Sequence, residues 1–252
     1  MIKPTCAVSF AIIVFISSIS SAAAQLNLSK WQVGINGGIF VYQGDLTPSP
    51  IGSYRTLSSG FGLYISRVLS PSFILRTNVA RGTIKGNDGA YLSPWWRKER
   101  NFRFSSTVTE FSELVVWNIF KNNGNQSDRR FSPYMYVGAG VSLLNIKRDY
   151  SNMNKSFFYS GSEVAAGLAT DMATKPPSTI LVLPAGLGVE YYVSPKISVT
   201  AETAFRYIFT DYLDGFSKAA NPKRKDFYHS HTFGVVYKFG KKDPYRCPVA
   251  KL

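Results

Sequence analysis

Few side chains in this sequence could do covalent chemistry, and the nearest to a reactive group is His229-Ser230-His231. A histidine beside a serine can activate it as the nucleophile of a lipid hydrolase. Adjacent residues of a strand point to opposite faces, so the two histidines share a face that Ser230 does not. No Cys, Asp or Glu beside them completes a plausible metal shell. We therefore interpret His229 and His231 as a surface pair and predict no enzyme activity.

Loop aspartates are the other candidates for a ligand site. Asp45, Asp211 and Asp214 lie at the ends of predicted strands, and carboxylates are ligands that suit Ca²⁺. Isolated loop aspartates more often form turns through their own side-chain hydrogen bonds. We therefore expect turn formers here, and we predict neither a metal ion nor another cofactor.

Five charged residues fall on the polar faces of predicted strands. Carboxylates and guanidinium groups in an enclosed space must pair, because an unpaired charge there costs several kcal/mol. We predict an internal salt-bridge network, with a proton or solute path as the alternative. The interior of a small barrel is only wide enough for side chains, which disfavours a channel. The network would consist of Arg76, Glu110, Glu190, Glu202 and Arg206.

Strands of alternating residues would position all of these groups. Their apolar face carries Trp, Phe, Leu, Ile and Val, while the other face carries Gly, Ser, Thr and Asn with few charges. A β-sandwich would expose more charge on its wet face, so the apolar face is expected to meet lipid. Eight segments show this pattern, each close to the length that crosses a bilayer at a tilt: 31–42, 59–69, 73–81, 107–119, 134–144, 183–193, 197–207 and 232–239.

The connections alternate between short and long. Residues 70–72, 121–130 and 194–196 form the short connections, and 43–58, 85–106, 145–177 and 210–231 the long ones. Outer-membrane barrels have short periplasmic turns and long external loops. The sequence therefore predicts an all-β fold, an antiparallel transmembrane β-barrel of about eight strands. Residues 162–173 could form a short helix, or the third long loop could hide two more strands, making ten.

The N-terminus predicts export. Residues 1–24 contain Lys3, a short apolar core and Ala22-Ala23-Ala24 before Gln25, the layout of a cleaved signal peptide. We expect cleavage near Ala24 and Gln25, a barrel over 25–240 in the outer membrane, and a basic periplasmic tail over 241–252. One cysteine, Cys247, would then remain.

Composition excludes several other classes of protein. The chain has 252 residues with a formal charge of +14, and aromatic residues make up 15% of it. Disordered chains are poor in aromatics, and two cysteines are too few for a disulfide scaffold. The charge and the Trp95-Trp96-Arg97-Lys98-Glu99-Arg100 run are also compatible with nucleic-acid binding. Export argues against that partner and favours contact with outer-membrane lipid or lipopolysaccharide, because aromatic and cationic side chains suit the headgroup level.

Five short motifs follow one another along the chain: Tyr42, Gly44, Asp45 and Leu46; Arg100, Asn101 and Asn118; Pro133 and Tyr134; Gly186 and Gly188; and Thr210, Asp211, Tyr212 and Asp214. Taken in order, they resemble the PorG-like outer-membrane barrels of the type IX secretion system of the Bacteroidetes. The resemblance extends over roughly residues 31–240. That family usually has a Glu two positions before Asn118, where this chain has Val116, with Glu113 on the other face.

The resemblance implies a structural barrel that anchors or positions a periplasmic ring of the secretion machinery, and it implies no enzyme activity. The family also contains paralogues whose link to secretion is open. A stand-alone adhesin or envelope-stabilising barrel therefore stays an alternative, and a small lipid-modifying barrel stays a weaker one.

Contact with a periplasmic ring would need a periplasmic surface. Basic residues on the 121–130 turn and on the tail suit an acidic periplasmic protein, and an odd cysteine is available for an intermolecular bond. We predict docking through Arg129, Arg130, Lys241, Lys242, Arg246 and Cys247.

Overall fold

The computed structural model describes residues 28–49, 52–121, 123, 130–220 and 226–239. Each strand is antiparallel to the next, and the last strand pairs with the first, so the sheet closes into a barrel. The predicted eight-stranded antiparallel barrel is confirmed. Its strands are β1 (Trp31–Gln43), β2 (Ser58–Val68), β3 (Phe73–Asn87), β4 (Arg103–Asn118), β5 (Phe131–Asp149), β6 (Thr179–Tyr192), β7 (Ile197–Ile208) and β8 (Phe227–Lys238).

The strands are staggered as well as closed. A row of pairing partners that leaves β1 at Trp31 returns to the same strand at Val41, ten positions further along. That stagger tilts every strand against the barrel axis and sets the barrel's width. The row runs through Trp31, Arg67, Leu75, Val115, Val137, Ala185, Phe205, His229 and Val41.

The two faces of the sheet differ as the alternation predicts. Apolar side chains on the outer face are exposed; Phe233, for example, has 74% of its surface exposed. Polar and small side chains fill the inner face. An exposed apolar exterior is the lipid-facing wall of a transmembrane barrel. The sheet must also close, because hydrocarbon offers no hydrogen-bond partner to an open sheet edge.

Several strands are longer than the sequence pattern predicts. β3 continues to Asn87 rather than ending at Arg81, β5 continues to Asp149, and β8 begins at Phe227. The added residues all lie at the end of the barrel that carries the long connections. Their outer positions hold polar residues such as Lys147, so the apolar alternation stops before the strand does.

The connections sort to opposite ends of the barrel. Short turns over 69–72, 119–130 and 193–196 lie at the end that we take as periplasmic. The other end carries external loops L1 (44–57), L2 (88–102), L3 (150–178) and L4 (209–226). L2 contains the helix α1 (Trp96–Arg100), and L3 contains α2 (Glu163–Ala173) rather than two further strands. The hydroxyl of Ser162 caps α2 by accepting a hydrogen bond from the Ala165 amide at 3.3 Å.

None of the helices in the described ranges is long and apolar enough to span a membrane. The predicted signal segment 1–24 and the basic tail 241–252 both lie outside the described residues.

Glycines on the inner face make room for large tyrosines. An added Cβ at Gly188 would stand 2.4 Å from the ring of Tyr134, and one at Gly186 would stand 2.4 Å from the ring of Tyr136. Both tyrosines are buried. The glycines of β6 therefore set the positions of two of the rings that fill the lumen.

The substitution Gly188→Ala should consequently lower the free energy of unfolding by about 1–3 kcal/mol, the usual cost of overpacking. The new methyl group would push the Tyr134 ring out of its place. Gly37→Ala is the matched control, since a Cβ there meets nothing closer than 3.8 Å. Guanidinium titration in detergent, followed by tryptophan fluorescence, measures the free energy of unfolding of both variants. An equal loss in Gly188→Ala and Gly37→Ala would contradict this account of the packing.

Candidate functional site

The lumen contains a first buried ion pair near mid-height. Arg76 Nη1 lies 2.6 Å from Glu202 Oε1, and the hydroxyl of Tyr134 donates to the same oxygen at 2.5 Å. The Arg76 guanidinium also lies 4.3 Å from the centroid of the Tyr64 ring. Each charge therefore has a counter-charge and further polar or aromatic contacts, as buried charges require.

A second pair lies closer to the external end. Arg206 Nε donates to Glu110 Oε2 at 2.9 Å, and the hydroxyl of Tyr228 donates to the same oxygen at 3.1 Å. Arg206 Nη1 donates to Ser230 Oγ at 2.5 Å. Ser230 thus faces the lumen, on the opposite side of the wall from the two histidines.

Two polar groups complete the filling toward the periplasmic end. Lys238 Nζ lies 2.8 Å from Glu190 Oε1, and Ser198 also donates to that carboxylate. Asn118 Nδ2 donates to Ser132 Oγ at 2.6 Å and so ties the ends of two neighbouring strands. All five charged residues predicted for the lumen lie there, each in an ion pair. Lys238 is a partner that the prediction did not include.

These side chains occupy the described part of the lumen. One cavity among them, bordered by Arg76, Tyr134 and Glu190, has a volume of about 10 Å³, roughly the room for one water molecule. A much larger open groove of about 670 Å³ lies on the lipid-facing wall, beside small residues such as Gly37 and Ala201. That groove is apolar and suits acyl chains. In the described part of the barrel, the interior is a plug of paired charges and aromatic rings rather than a path.

Removing one member of a buried ion pair should destabilise the barrel strongly, and removing the second member as well should add little further loss. Arg76→Met alone leaves Glu202 buried and unpaired, and we expect a loss of about 3–5 kcal/mol. The double variant R76M/E202Q should lose less than the sum of the two single variants. Lys85→Met, an exposed cation on the same strand, is the control. Chemical denaturation of the four variants gives the coupling energy; strictly additive losses would argue against the pair.

The external loops fold over the barrel mouth and form a second cluster, which we call the cap. The cap has its own apolar core, in which the rings of Phe102 and Phe216 stack with centroids 4.6 Å apart. Leu46, Leu213 and Phe216 are fully buried. L1, L2 and L4 each contribute to this core, so the loops pack on one another instead of extending separately into solvent.

A salt-bridged clamp ties L2 to L1. Asp88 accepts from Arg97 Nη1 at 2.7 Å and from Arg100 Nε at 2.6 Å. The same two arginines donate to the backbone carbonyl of Asp45, at 3.0 and 3.3 Å. Asp88 is completely buried. The two arginines of the Trp95–Arg100 run therefore act inside the protein, and the exposed members that can serve the expected surface role are Trp95 and Lys98.

A buried carboxylate ties L3 to L4. Asp171, near the end of α2, accepts hydrogen bonds from the backbone amides of Ser217, Lys218 and Ala219 at 2.8–3.1 Å. The hydroxyl of Tyr212 donates to it at 3.3 Å. Residue type alone gave no sign of this role, since a single aspartate in a loop helix is commonplace.

An acid pair joins the first strand to the last loop. The Tyr42 hydroxyl lies 2.7 Å from Asp214 Oδ2 and 2.6 Å from Asp226 Oδ1. One hydroxyl hydrogen cannot serve both contacts, so the second requires a proton on a carboxyl group. Burial raises the pKa of both Asp214 and Asp226 well above its usual range, and the neighbouring carboxylates raise it further. One carboxyl of the pair is therefore held protonated.

This pair should make the cap sensitive to pH. Between the ordinary pKa of an aspartate and the raised pKa in the folded cap, the folded cap binds more protons than the unfolded chain does. The stability of the cap therefore falls as the pH rises from the first value to the second. Asp226→Asn removes one acid and keeps hydrogen-bonding groups beside Tyr42. We expect it to gain about 1 kcal/mol at pH 8 relative to the wild type and to flatten the pH dependence. Hydrogen-exchange protection factors of residues 213–220, measured between pH 5.5 and 8.5 in the wild type and in Asp226→Asn, give the stability of the cap at each pH.

Glu163→Gln, which changes an exposed carboxylate at the same end of the barrel, is the control and should leave the wild-type slope unchanged. Protection in the wild type that rises with pH, or is flat, would contradict the shared proton.

The two histidines lie on the outer wall beneath a loop residue. The Tyr54 hydroxyl lies 2.8 Å from His231 Nε2 and 3.5 Å from His229 Nε2, and Thr203 Oγ1 lies 2.9 Å from His231 Nδ1. Tyr54 belongs to L1, and His229 is only 3% exposed. The surface-pair interpretation therefore needs a correction: the histidines face outward, but L1 covers one of them. Hydroxyl groups occupy both ring nitrogens of His231.

The loop aspartates serve structural contacts. Asp214 Oδ1 accepts from the Phe216 amide at 2.7 Å and so forms a turn, and Asp211 Oδ2 accepts from the Ser217 hydroxyl at 2.6 Å. Asp45 contributes its carbonyl to the clamp. Among the residues that the structure describes, no group of three or more His, Cys, Asp or Glu side chains is arranged to hold a metal ion.

The motif residues divide between these clusters. Tyr42, Leu46, Arg100 and Asp214 meet in the cap, although three separate segments contribute them. Tyr134, Gly186, Gly188 and Asn118 lie in the lumen filling or border it. Of the predicted docking residues, Arg130 is described and exposed. The others lie outside the described residues: Arg129, Lys241, Lys242, Arg246 and Cys247.

An apolar outer wall, a filled polar lumen and short turns at one end define an integral membrane protein of the outer-membrane β-barrel class. Within that class, residues 7–248 match the family described as "Domain of unknown function (DUF6089)", and the chain belongs to it. No curated protein matches the sequence.

Solved structures resemble the chain in fold alone. Neisserial surface protein A is 16% identical, with a TM-score of 0.44 over 84% of this chain and 98% of that one. Ail, the attachment invasion locus protein of Yersinia pestis, is 12% identical, with a TM-score of 0.42 over 82% of this chain and 98% of that one. OprG from Pseudomonas aeruginosa is 10% identical, with a TM-score of 0.41 over 84% and 97%.

Proposed function

We propose that this protein is a structural component of the type IX secretion machinery, which it anchors or positions at the outer membrane. The observation that carries the proposal is the lumen filling, in which every described charge is paired and the cavity beside Arg76 has a volume of about 10 Å³. A barrel of this kind offers no route for a solute. It supplies a rigid membrane-embedded platform with one surface on each side of the membrane.

The type IX assignment itself depends on the motif resemblance. Most of the motif residues lie in the cap and the lumen, where they maintain the shape of the barrel. They support common ancestry with PorG-like barrels more directly than they support contact with a ring. The periplasmic surface is the part of the molecule that must distinguish a secretion component from a paralogue.

On the periplasmic side, the proposed partner is an acidic ring protein. Arg130 is exposed there, and the sequence adds Arg129 with Lys241, Lys242 and Arg246 on the tail. Several cations close together attract an acidic surface and accelerate encounter at low salt. Cys247 would be able to form an intermolecular disulfide with a partner cysteine in this oxidising compartment.

Two strains test the proposal. Deletion of the gene should abolish export of type IX cargo to the medium, measured by proteomics of the culture supernatant. A chain that ends at residue 239 should insert normally but recover at least about tenfold less ring protein in affinity purification. Trp95→Ala, an external change, is the control and should recover wild-type amounts. Normal export in the deletion strain would contradict the proposal, and full recovery with the truncated chain would contradict docking through the tail.

An adhesin is the second candidate, and one observation favours it. L2 and L3 expose large apolar side chains above the membrane: Leu92 is 73% exposed, Trp95 62% and Tyr159 65%. Exposed apolar groups of this kind often mark a site for a binding partner. In the same deletion strain, normal cargo export with reduced attachment to surfaces or host cells would favour this function.

We do not propose an enzyme. Ser230 faces the lumen and contacts Arg206, while the histidines lie on the other side of the wall under Tyr54. A serine and its base must share a hydrogen bond to act together. Unchanged masses of outer-membrane lipids in the deletion strain would be the expected result.

A further inference from the structure

The outer wall carries one carboxylate in the middle of its apolar band. Glu113 of β4 points outward between Phe111 and Val115, and its neighbours across the sheet are Thr77 and Ala139. Trp117 marks the periplasmic aromatic belt on the same strand. Four tilted residues place Glu113 about 10 Å above that belt, well inside an apolar band about 25 Å tall. Among the acidic residues of the described strands, Glu113 alone faces out at this depth.

Lipid is a poor environment for this group. A carboxylate exposed to hydrocarbon is destabilising, and such residues usually pair with a group of opposite charge. The Thr77 hydroxyl donates to Glu113 Oε1 at 2.8 Å, which satisfies one oxygen but supplies no counter-charge. In the described part of the chain, no cation forms an ion pair with Glu113. A cation on a neighbouring molecule in the membrane could complete this site.

The same face presents a guanidinium group that forms no ion pair with any residue in the described ranges. Arg81 of β3 points outward, and its neighbours across the sheet are Phe61 and Thr109. Thr77 is the residue opposite Glu113, and it precedes Arg81 by four positions. The Cα atom of Arg81 is therefore about 14 Å from that of Thr77, and at least as far from that of Glu113. Val79 and Phe111 fill the wall between them. Arg81 therefore does not pair with Glu113 of its own chain.

We propose that the outer face of β3 and β4 is the contact surface of a two-fold symmetric dimer, in which Glu113 of each copy pairs with Arg81 of the other. A two-fold axis along the membrane normal makes such a contact reciprocal, since the same patch is used twice. Arg81 lies on the order of 7 Å nearer the external side, a difference in depth that its flexible stem can span. Val79 and Phe111 would pack near the axis.

A second copy fits this face better than the other occupants do. A lipid phosphate is anionic and lies at headgroup depth, so it suits Arg81 and leaves Glu113 unsatisfied. A different membrane protein would need its own cation at mid-depth. This patch already carries both halves of the pair, and the small side chain of Ala139 lets a neighbour approach closely. Close packing and polar contacts drive association within a membrane, where the hydrophobic effect is absent.

Disulfide cross-linking in native membranes tests the dimer. In a chain with Cys247→Ser, the substitution Val79→Cys places one thiol near the proposed axis. Mild oxidation should give a product of twice the chain's mass on a non-reducing gel, containing this chain alone by mass spectrometry. Phe233→Cys, an equally outward position on β8, is the matched control and should give at least about tenfold less.

Charge variants then test the pair itself. R81E and E113Q, each combined with Val79→Cys, should each lower the dimer yield by about tenfold, and the reversed pair R81E/E113R should restore it. Heat-modifiable gel mobility checks that every variant folds. Equal cross-linking at Val79 and Phe233, a product that contains a different protein, or single charge variants with undiminished yield would each overturn the proposal.

Discussion

The pairing of β8 with β1 is the constraint on which the rest of this structure depends. Hydrocarbon offers no hydrogen-bond partner, so an open edge would leave a row of backbone N–H and C=O groups unsatisfied at several kcal/mol each. Closure with a stagger of ten positions then sets the barrel's width. That width decides which side chains fill the lumen: tyrosines seated against glycines, and charges that must find opposite charges across it.

Charged residues are paired in the lumen, whereas the outer wall carries a carboxylate that forms no ion pair within the described residues. Inside, Arg76, Glu110, Glu190, Glu202 and Arg206 each have a counter-charge within 3 Å, and tyrosine hydroxyls complete several of these contacts. On the wall, Glu113 accepts a hydrogen bond from Thr77 and has no counter-charge among the residues that the structure describes. The lumen charges therefore stabilise a single chain, whereas Glu113 is the basis of the proposed contact with a second copy.

The sequence predicted those features that depend on the local alternation of residues. The alternation of faces along a strand put Ser230 on the opposite face from the two histidines, and it put the five predicted lumen charges on the inner face, where the structure has them. Strand ends above the lipid were missed because positions such as Lys147 are polar on a face that is apolar lower down. The partners within the lumen were not predictable either, because the pairing of Arg76 with Glu202 depends on the stagger of strands far apart in sequence.

The cap was the least predictable part. Tyr42 and its two acid partners are 172 and 184 residues apart, and each is an ordinary loop or strand-end residue by type. Asp88 and Asp171 gave no signal, since a buried loop carboxylate looks like an exposed one until its donors are known. The motif resemblance identified several cap residues without indicating what they contact.

The contact between Tyr42 and Asp226 has a consequence for the order of folding. Tyr42 lies in the first strand, and Asp226 immediately precedes the last strand. We therefore expect the contact to form when the last strand pairs with the first. The acid pair and the loop core around it are therefore late events, completed only after the chain is sealed in the bilayer. Until then L4 lacks its anchor on β1. We therefore expect an ordered external end only in a barrel whose last strand has paired with its first.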